Sequence, residues 1–345
     1  MTGLETAVVV LSEFLVQIPA YWAEARLQRK TRARSVTVRR FGWSDTSQEE
    51  AQSMADERCA HALSQIMAGR DLHRREQRVP YNGADGLPIR EEVLAKHGEA
   101  VITRNAYGAH CLNVPDALFA DIDFEDFRAG RYFYLATFLA LAAIAGGVWL
   151  RVPHKPCDVR WLLPLLLACC VAFVPITQFL YRSWLRLCGG VERVAIRRIE
   201  RFAKRHPDWR IRVYSTPSGL RTLTLHRRFQ PNDPEVEAYF LALGVDPVYA
   251  AMCRHQQCFR ARLTGKPWRM GIESHMKPRP GVWPVAPERV GERQSWTRDY
   301  DARTERFSAC RYFRELGSGR PAVELDAIQE LHDDLSGALS TRPIA

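Results

Sequence analysis

Residues 132–150 read YFYLATFLALAAIAGGVWL and residues 161–181 read WLLPLLLACCVAFVPITQFLY, and neither stretch contains a charged side chain. About 20 consecutive apolar residues in a helix cross the hydrocarbon core of a bilayer, so these runs of 19 and 21 residues predict two membrane-spanning helices. Aromatic residues stand at their ends: Tyr132, Phe133, Tyr134 and Trp149 on the first, Trp161, Phe179, Tyr181 and Trp184 on the second. Aromatic rings collect at headgroup level in this way. Helices of a soluble core would carry a polar stripe, and neither run has one. The link Arg151–Arg160 holds two prolines in ten residues, which predicts a tight helical hairpin with both flanks on one side.

Charge near the spans sets which side that is. The link carries Arg151, Lys155 and Arg160. The outer flanks carry Arg128 and Arg131 before the first run, and Arg182, Arg186, Arg193, Arg197, Arg198 and Arg201 after the second. This excess predicts a two-pass inner-membrane protein with both termini in the cytoplasm. Most of the nine cysteines then face a reducing compartment, and no disulfide framework is expected.

The whole-chain averages conceal this. With 345 residues, a net charge of +10, 46% hydrophobic residues and a mean hydropathy of -0.27, the chain resembles an ordinary basic soluble protein. The same figures exclude a disordered or fibrous chain. The charge is concentrated: residues 182–228 hold 13 Lys and Arg against three acids, an excess equal to that of the entire chain.

Outward from the two runs, the flanks predict an α+β body. Residues 1–34 read as an N-terminal amphipathic and basic helix. Val36–Trp43 reads as a strand, and Thr46–Glu50 as a capping box opening a helix with an apolar stripe at Ala51, Met54, Ala55, Cys59, Ala62, Leu63, Ile66 and Met67. Pro88–Gly98 reads as a short helix, then Ala100–Ala106, Ala109–Val114 and Ala117–Phe124 as strands. After the runs come an arginine-rich helix at Val191–Arg205 and a β-hairpin at Trp209–Ser215 and Leu220–His226. Helices at Pro234–Leu243 and Pro247–His255, a strand at Cys258–Leu263, and terminal helices at Trp296–Leu316 and Val323–Leu335 complete the list. Neither flank has enough strands to close a core alone. The expected organisation is therefore one cytosolic α+β domain, contributed by 35–130 and 183–292, interrupted by the hairpin 131–182 and followed by helices in 293–345.

Three constellations bear on chemistry. Asp121-Ile122-Asp123 ends an apolar strand, and strand alternation puts both carboxylates on one face about 7 Å apart, a spacing that suits one or two Mg²⁺ ions. The basic stretch from Arg182 suits anionic lipid headgroups at Arg182, Arg186, Arg193, Arg197 and Arg198, or the phosphates of a nucleotide or nucleic acid. Arg260 and Arg262 on one strand face, with Lys266 and the stacking surface of Trp268, form a second phosphate-binding set, or a strand edge kept soluble by charge. Cys253, His255 and Cys258 lack the fourth ligand that zinc requires and read as structural residues, so no metal site is assigned. No phosphate-binding glycine loop, nucleophile elbow or HExxH motif is present.

Leu118–Asp123 (LFADID) resembles the hhhDhD strand of the archaeo-eukaryotic primase superfamily, and Thr216–Arg221 stands where that superfamily carries a Ser-x-His strand motif. The resemblance implies an RRM-like α+β core, with Asp121 and Asp123 as catalytic residues and Ser218 and Arg221 as ligand-binding residues. Magnesium is implied only with those carboxylates. Arg221 stands in place of the histidine, and a third Asp is missing. The function expected from the residues themselves is a membrane-tethered binding or scaffold protein, non-enzymatic, that meets the bilayer and anionic headgroups. The alternatives are a primase-like phosphoryl-transfer enzyme and a subunit of a larger membrane complex.

Overall fold

The computed structural model describes residues 16–30, 35–76, 86–127, 129–151 and 162–345; the side chains of 126, 144–151, 162–170 and 172 lie outside that description. The protein is α+β. Its first unit is an antiparallel hairpin, β1 (Tyr21–Lys30) and β2 (Ser35–Ser44), covered by helix α1 (Gln48–Met67). Ser47 caps α1 by accepting the Glu50 backbone N–H; Glu50 reaches Ser44 instead of closing the reciprocal half of the box. Of the predicted stripe, Ala51, Ala55, Cys59, Ala62 and Ile66 are buried and pack on Ala23, Ala25, Val36 and Val38, while Met54, Leu63 and Met67 are half-buried at its margin. Small side chains on both surfaces bring α1 down onto the backbone of Gly42.

Two four-stranded antiparallel sheets follow. One has the order β3 (Glu92–His97), β4 (Ala100–Arg104), β5 (His110–Val114), β9 (Phe259–Arg262). The other has the order β10 (Arg311–Leu316), β7 (Ile211–Thr216), β8 (Gly219–Thr224), β6 (Phe119–Asp123). Each sheet takes strands from both sides of the two apolar runs: β5 pairs with β9, and β6 with β8. Loop-closure entropy grows slowly with length, so a long excursion between paired strands adds little cost. One buried cluster joins the two sheets through Leu112, Val114, Phe119, Ile122, Val213, Leu223 and Phe259.

The uncharged runs belong to helices α2 (Arg131–Arg151) and α3 (Leu162–Leu187). Gln178 Nε2 donates to Tyr134 Oη at 2.6 Å between them, and Phe133 meets Tyr181 edge-on. Their predicted link falls mostly at 152–161, outside the described residues. Among the described residues no helix is long and apolar enough to cross a membrane. Gly189 and Gly190, both at positive φ, then turn the chain into α4 (Gly190–Arg205). Helix α4 lays Ala195, Ile199, Phe202 and Ala203 on the sheet core. Helices α5 (Pro234–Leu243), α6 (Pro247–Gln256), α7 (Val290–Thr304) and α8 (Asp326–Ser336) complete the body.

Three expectations are corrected. Residues 21–30, expected as the end of an N-terminal helix, form β1, because Trp22, Ala23 and Ala25 are buried by pairing with β2; residues 1–15 lie outside the described set. Pro88–Gly98, with its helix-favouring EEVLAK, contains strand β3, because register with β4 and the pairing of Glu92 with Arg293 and Arg104 override local propensity. Trp296–Leu316 is not one helix: α7 ends at Thr304, and 311–316 joins β7 as an edge strand with a bulge between Tyr312 and Arg314.

Candidate functional site

The pairing of β6 with β8 sets Asp121 directly opposite Arg221. Strand alternation puts Asp121 and Asp123 on one face, both half-buried, while Ala120 and Ile122 turn into the core. Every residue of β8 is buried, and Arg221 is 2% exposed. A guanidinium in such a place is tolerated only if its donors are used. Arg221 Nε and Nη2 donate to the two Asp121 oxygens at 2.7 and 3.1 Å, and Nη1 donates to the Arg262 carbonyl at 2.7 Å. Burial alone would weaken the Arg221 charge, but Asp121 outweighs it and drives the pKa up. Each carboxylate oxygen of Asp121 thereby accepts one hydrogen bond from a buried cation, while the side chain stays one-third exposed. Ser218 sits in the β7–β8 turn, and its carbonyl accepts the Phe124 N–H at 2.9 Å. Among the described residues no group of three or more His, Cys, Asp or Glu side chains is placed to hold a metal.

Strand β9 brings the set of Arg260, Arg262, Lys266 and Trp268 beside the first constellation. Arg260 pairs with Glu91 at 2.6 Å, and Glu91 also accepts from Thr103. Arg262 donates to the Thr264 and Ala345 carbonyls at 2.7 and 3.3 Å. Trp268 is 57% exposed, with the Lys266 ammonium 5.5 Å from its ring centre and Tyr107 edge-on to it. Burial first, then the charges of Arg262 and Arg269, lower the Lys266 pKa, while Asp123 and Asp121 oppose that shift. Tyr107, which the sequence did not single out, is pushed up to about 12 by burial. Two sets that look unrelated in sequence thus share one end of β6 and β9. Within it, Arg221 and Arg260 are held in internal ion pairs.

The basic stretch divides in two. Arg212 pairs with Asp333 and Arg221 with Asp121 inside the fold, while Arg228, itself exposed, pairs with the buried Asp116. Arg182, Arg186, Arg193, Arg197 and Arg201 are exposed around the end of α3 and along α4. Arg198 does not belong with them. Its guanidinium lies over the Phe127 ring at 4.4 Å and reaches the Leu243 carbonyl at 3.5 Å, and burial lowers its pKa.

A further polar cluster gave no signal in sequence. Asp333 on α8 accepts from Tyr214 Oη at 2.7 Å and Arg212 Nη2 at 2.6 Å. His332 Nδ1 lies 3.2 Å from Asp333 Oδ1, and its Nε2 lies 4.0 Å from Cys310 Sγ. Burial opposes charge on all three groups, yet their hydrogen bonds to one another outweigh it. His332 is raised, and Cys310 and Asp333 are lowered. A nucleophile, a base and an orienting carboxylate stand in order, but Cys310 and His332 have no exposed surface. The geometry suits docking of α8 on the sheet. Cys253 and Cys258 are likewise buried structural residues. Compared with protein-family models, curated proteins and solved structures, the chain matches none.

Proposed function

We propose that this chain is a membrane-anchored, non-enzymatic binding protein. Helices α2 and α3 hold its α+β body at a bilayer, and its exposed arginines meet anionic headgroups there. The observation that carries this reading is the apolar coat of the two helices. Tyr132, Leu135, Phe138, Leu139, Val171, Val174, Phe179, Leu180, Trp184 and Leu187 are all exposed, Leu187 at 88%. Soluble monomers seldom expose contiguous apolar patches above a few hundred Å². Burial of such surface contributes roughly 25 cal/mol per Å², which a lipid environment supplies. The uncharged composition continues through the centres of both runs. Arg182 and Arg186 interleave with the last residues of that coat, Trp184 and Leu187, and Arg193 and Arg197 follow it, the placement expected of a cytoplasmic headgroup contact.

The direct test is flotation of the purified chain with liposomes of neutral phosphatidylcholine. Co-flotation that survives alkaline carbonate supports the anchor. A chain that stays at the bottom of the gradient, monodisperse without detergent, would overturn it.

A further inference from the structure

Helix α4 and the bulged edge strand β10 enclose an open groove of about 610 Å³. It starts at Gly189, two residues beyond the exposed Leu187, and its walls include Arg193, Ile196 and Arg197 on one side and Phe313 and Arg314 on the other. Arg193 and Arg197 are one helical turn apart and both exposed, so their guanidinium groups can bracket a single phosphate. Of the two lining acids, Glu200 is taken up by Arg314 at 2.6 Å, and Glu192 lies toward the Gly189 end.

Gly189 shapes this end of the groove. Its φ of +91° favours glycine, and a Cβ there would come within 2.7 Å of Arg193 Cδ. The Arg193 side chain lies over this glycine. Phe313, 44% exposed, and Ile196 add an apolar wall beside the cations. Cations next to apolar surface, just past the end of the apolar coat, suit an amphiphile better than a free anion.

We infer that this groove binds the phosphodiester headgroup of an anionic phospholipid, with Arg193 and Arg197 on the phosphate. The acyl chains would descend past Trp184 and Leu187. The inference rests on the membrane anchoring proposed above and specifies the ligand of that surface.

The experiment uses the full chain, first floated with neutral phosphatidylcholine vesicles and then with vesicles containing phosphatidylglycerol, with native mass spectrometry of lipid retained after detergent extraction. The variants are Arg193→Gln with Arg197→Gln, and a control, Arg201→Gln with Arg205→Gln, on the same helix outside the groove. The wild type should retain phosphatidylglycerol over phosphatidylcholine. The groove variant should lose roughly tenfold to thirtyfold of that preference, at about 1 kcal/mol per basic residue near the surface. The control should keep most of it. Equal retention by wild type and groove variant, or an equal loss in the control, would overturn the groove. Failure to float even with neutral lipid would overturn the anchor and the groove together, whereas flotation without headgroup preference removes the groove alone.

Discussion

Arg221 and Asp121 face each other across β8 and β6 in a two-pronged ion pair, Nε to Oδ1 at 2.7 Å and Nη2 to Oδ2 at 3.1 Å. The pair ties a strand preceding the apolar runs to a strand following them. Removing one member leaves the other uncompensated. Asp121→Ala is expected to cost about 3–5 kcal/mol in urea unfolding, because Arg221 stays buried without its carboxylate. Asp123→Ala at the strand end is expected to cost less than about 1 kcal/mol. Equal, small losses would show that Asp121 is not bound into the fold and would reopen a ligand role for it.

Gly42 lies under α1 so closely that a Cβ would meet the Ala51 carbonyl oxygen at 2.1 Å and the Ala55 nitrogen at 2.3 Å. Both are backbone atoms and cannot swing away. Gly42→Ala is therefore expected to lift α1 from the hairpin, at a cost of about 1–3 kcal/mol or more. Hydrogen exchange should localise the loss to residues 35–67. Protection unchanged in α1 would contradict the packing.

His226 packs on Trp209 and Phe229, with ring centres 4.6 and 5.3 Å away. Burial first, then the Arg227 charge, lower its pKa to about 4, against weaker opposition from Asp208 and Glu235. The folded state thus prefers the neutral ring, so this contribution is complete above pH 6.5 and is lost as pH falls from 6.5 towards 4. Linkage makes the loss grow across that window, and because solvent screens a half-buried ring it is expected on the order of 1 kcal/mol. His226→Phe should flatten that part of the stability curve, as read from urea midpoints at pH 7, 6 and 5. A variant with the wild-type slope would assign the acid sensitivity elsewhere.

Asp333 holds Arg212, Tyr214 and His332 at one point under α8. Asp333→Ala is expected to destabilise by about 3–5 kcal/mol, since it strands the buried Tyr214 and His332 groups and leaves Arg212 only its longer contact with Glu315 at 3.8 Å. Tyr214→Phe removes one hydrogen bond and is expected to cost about 1–2 kcal/mol. Thermal unfolding of the two variants gives the order directly, and the reverse order would argue against Asp333 as the hub.

Leu139 and Val171 sit within the two uncharged runs and are 58% and 71% exposed. Under the membrane proposal an Asp at either site costs roughly 2.5–3.5 kcal/mol of insertion. Leu139→Asp combined with Val171→Asp should shift the chain into the carbonate-soluble fraction. An unchanged distribution would count against these faces meeting lipid.

Local elements were legible wherever one segment carries its own signal. The stripe from Ala51 to Ile66, the Pro-initiated helices at 234 and 247, and the 211–224 hairpin can each be read from spacing and turn residues alone. Reading failed where pairing overrode propensity. EEVLAK favours a helix until β4 lies beside it, and RYFREL shows its strand character only against β7. The candidate site was half legible. Asp121 with Asp123, and Ser218 with Arg221, could be picked out as two separate sets, but 100 positions separate Asp121 from Arg221, and only the strand register shows that these two meet in an ion pair.

By itself the sequence determined the two charge-free runs, the arginine excess beginning at Arg182 and most of the helices, because composition and short-range periodicity are properties of neighbouring residues. Only the tertiary structure decided which arginines are spent inside. Arg212, Arg221 and Arg260 meet Asp333, Asp121 and Glu91, while Arg193 and Arg197 remain exposed on α4. A guanidinium reads the same in every sequence; whether it reaches a ligand depends on which carboxylate the sheet register places opposite it.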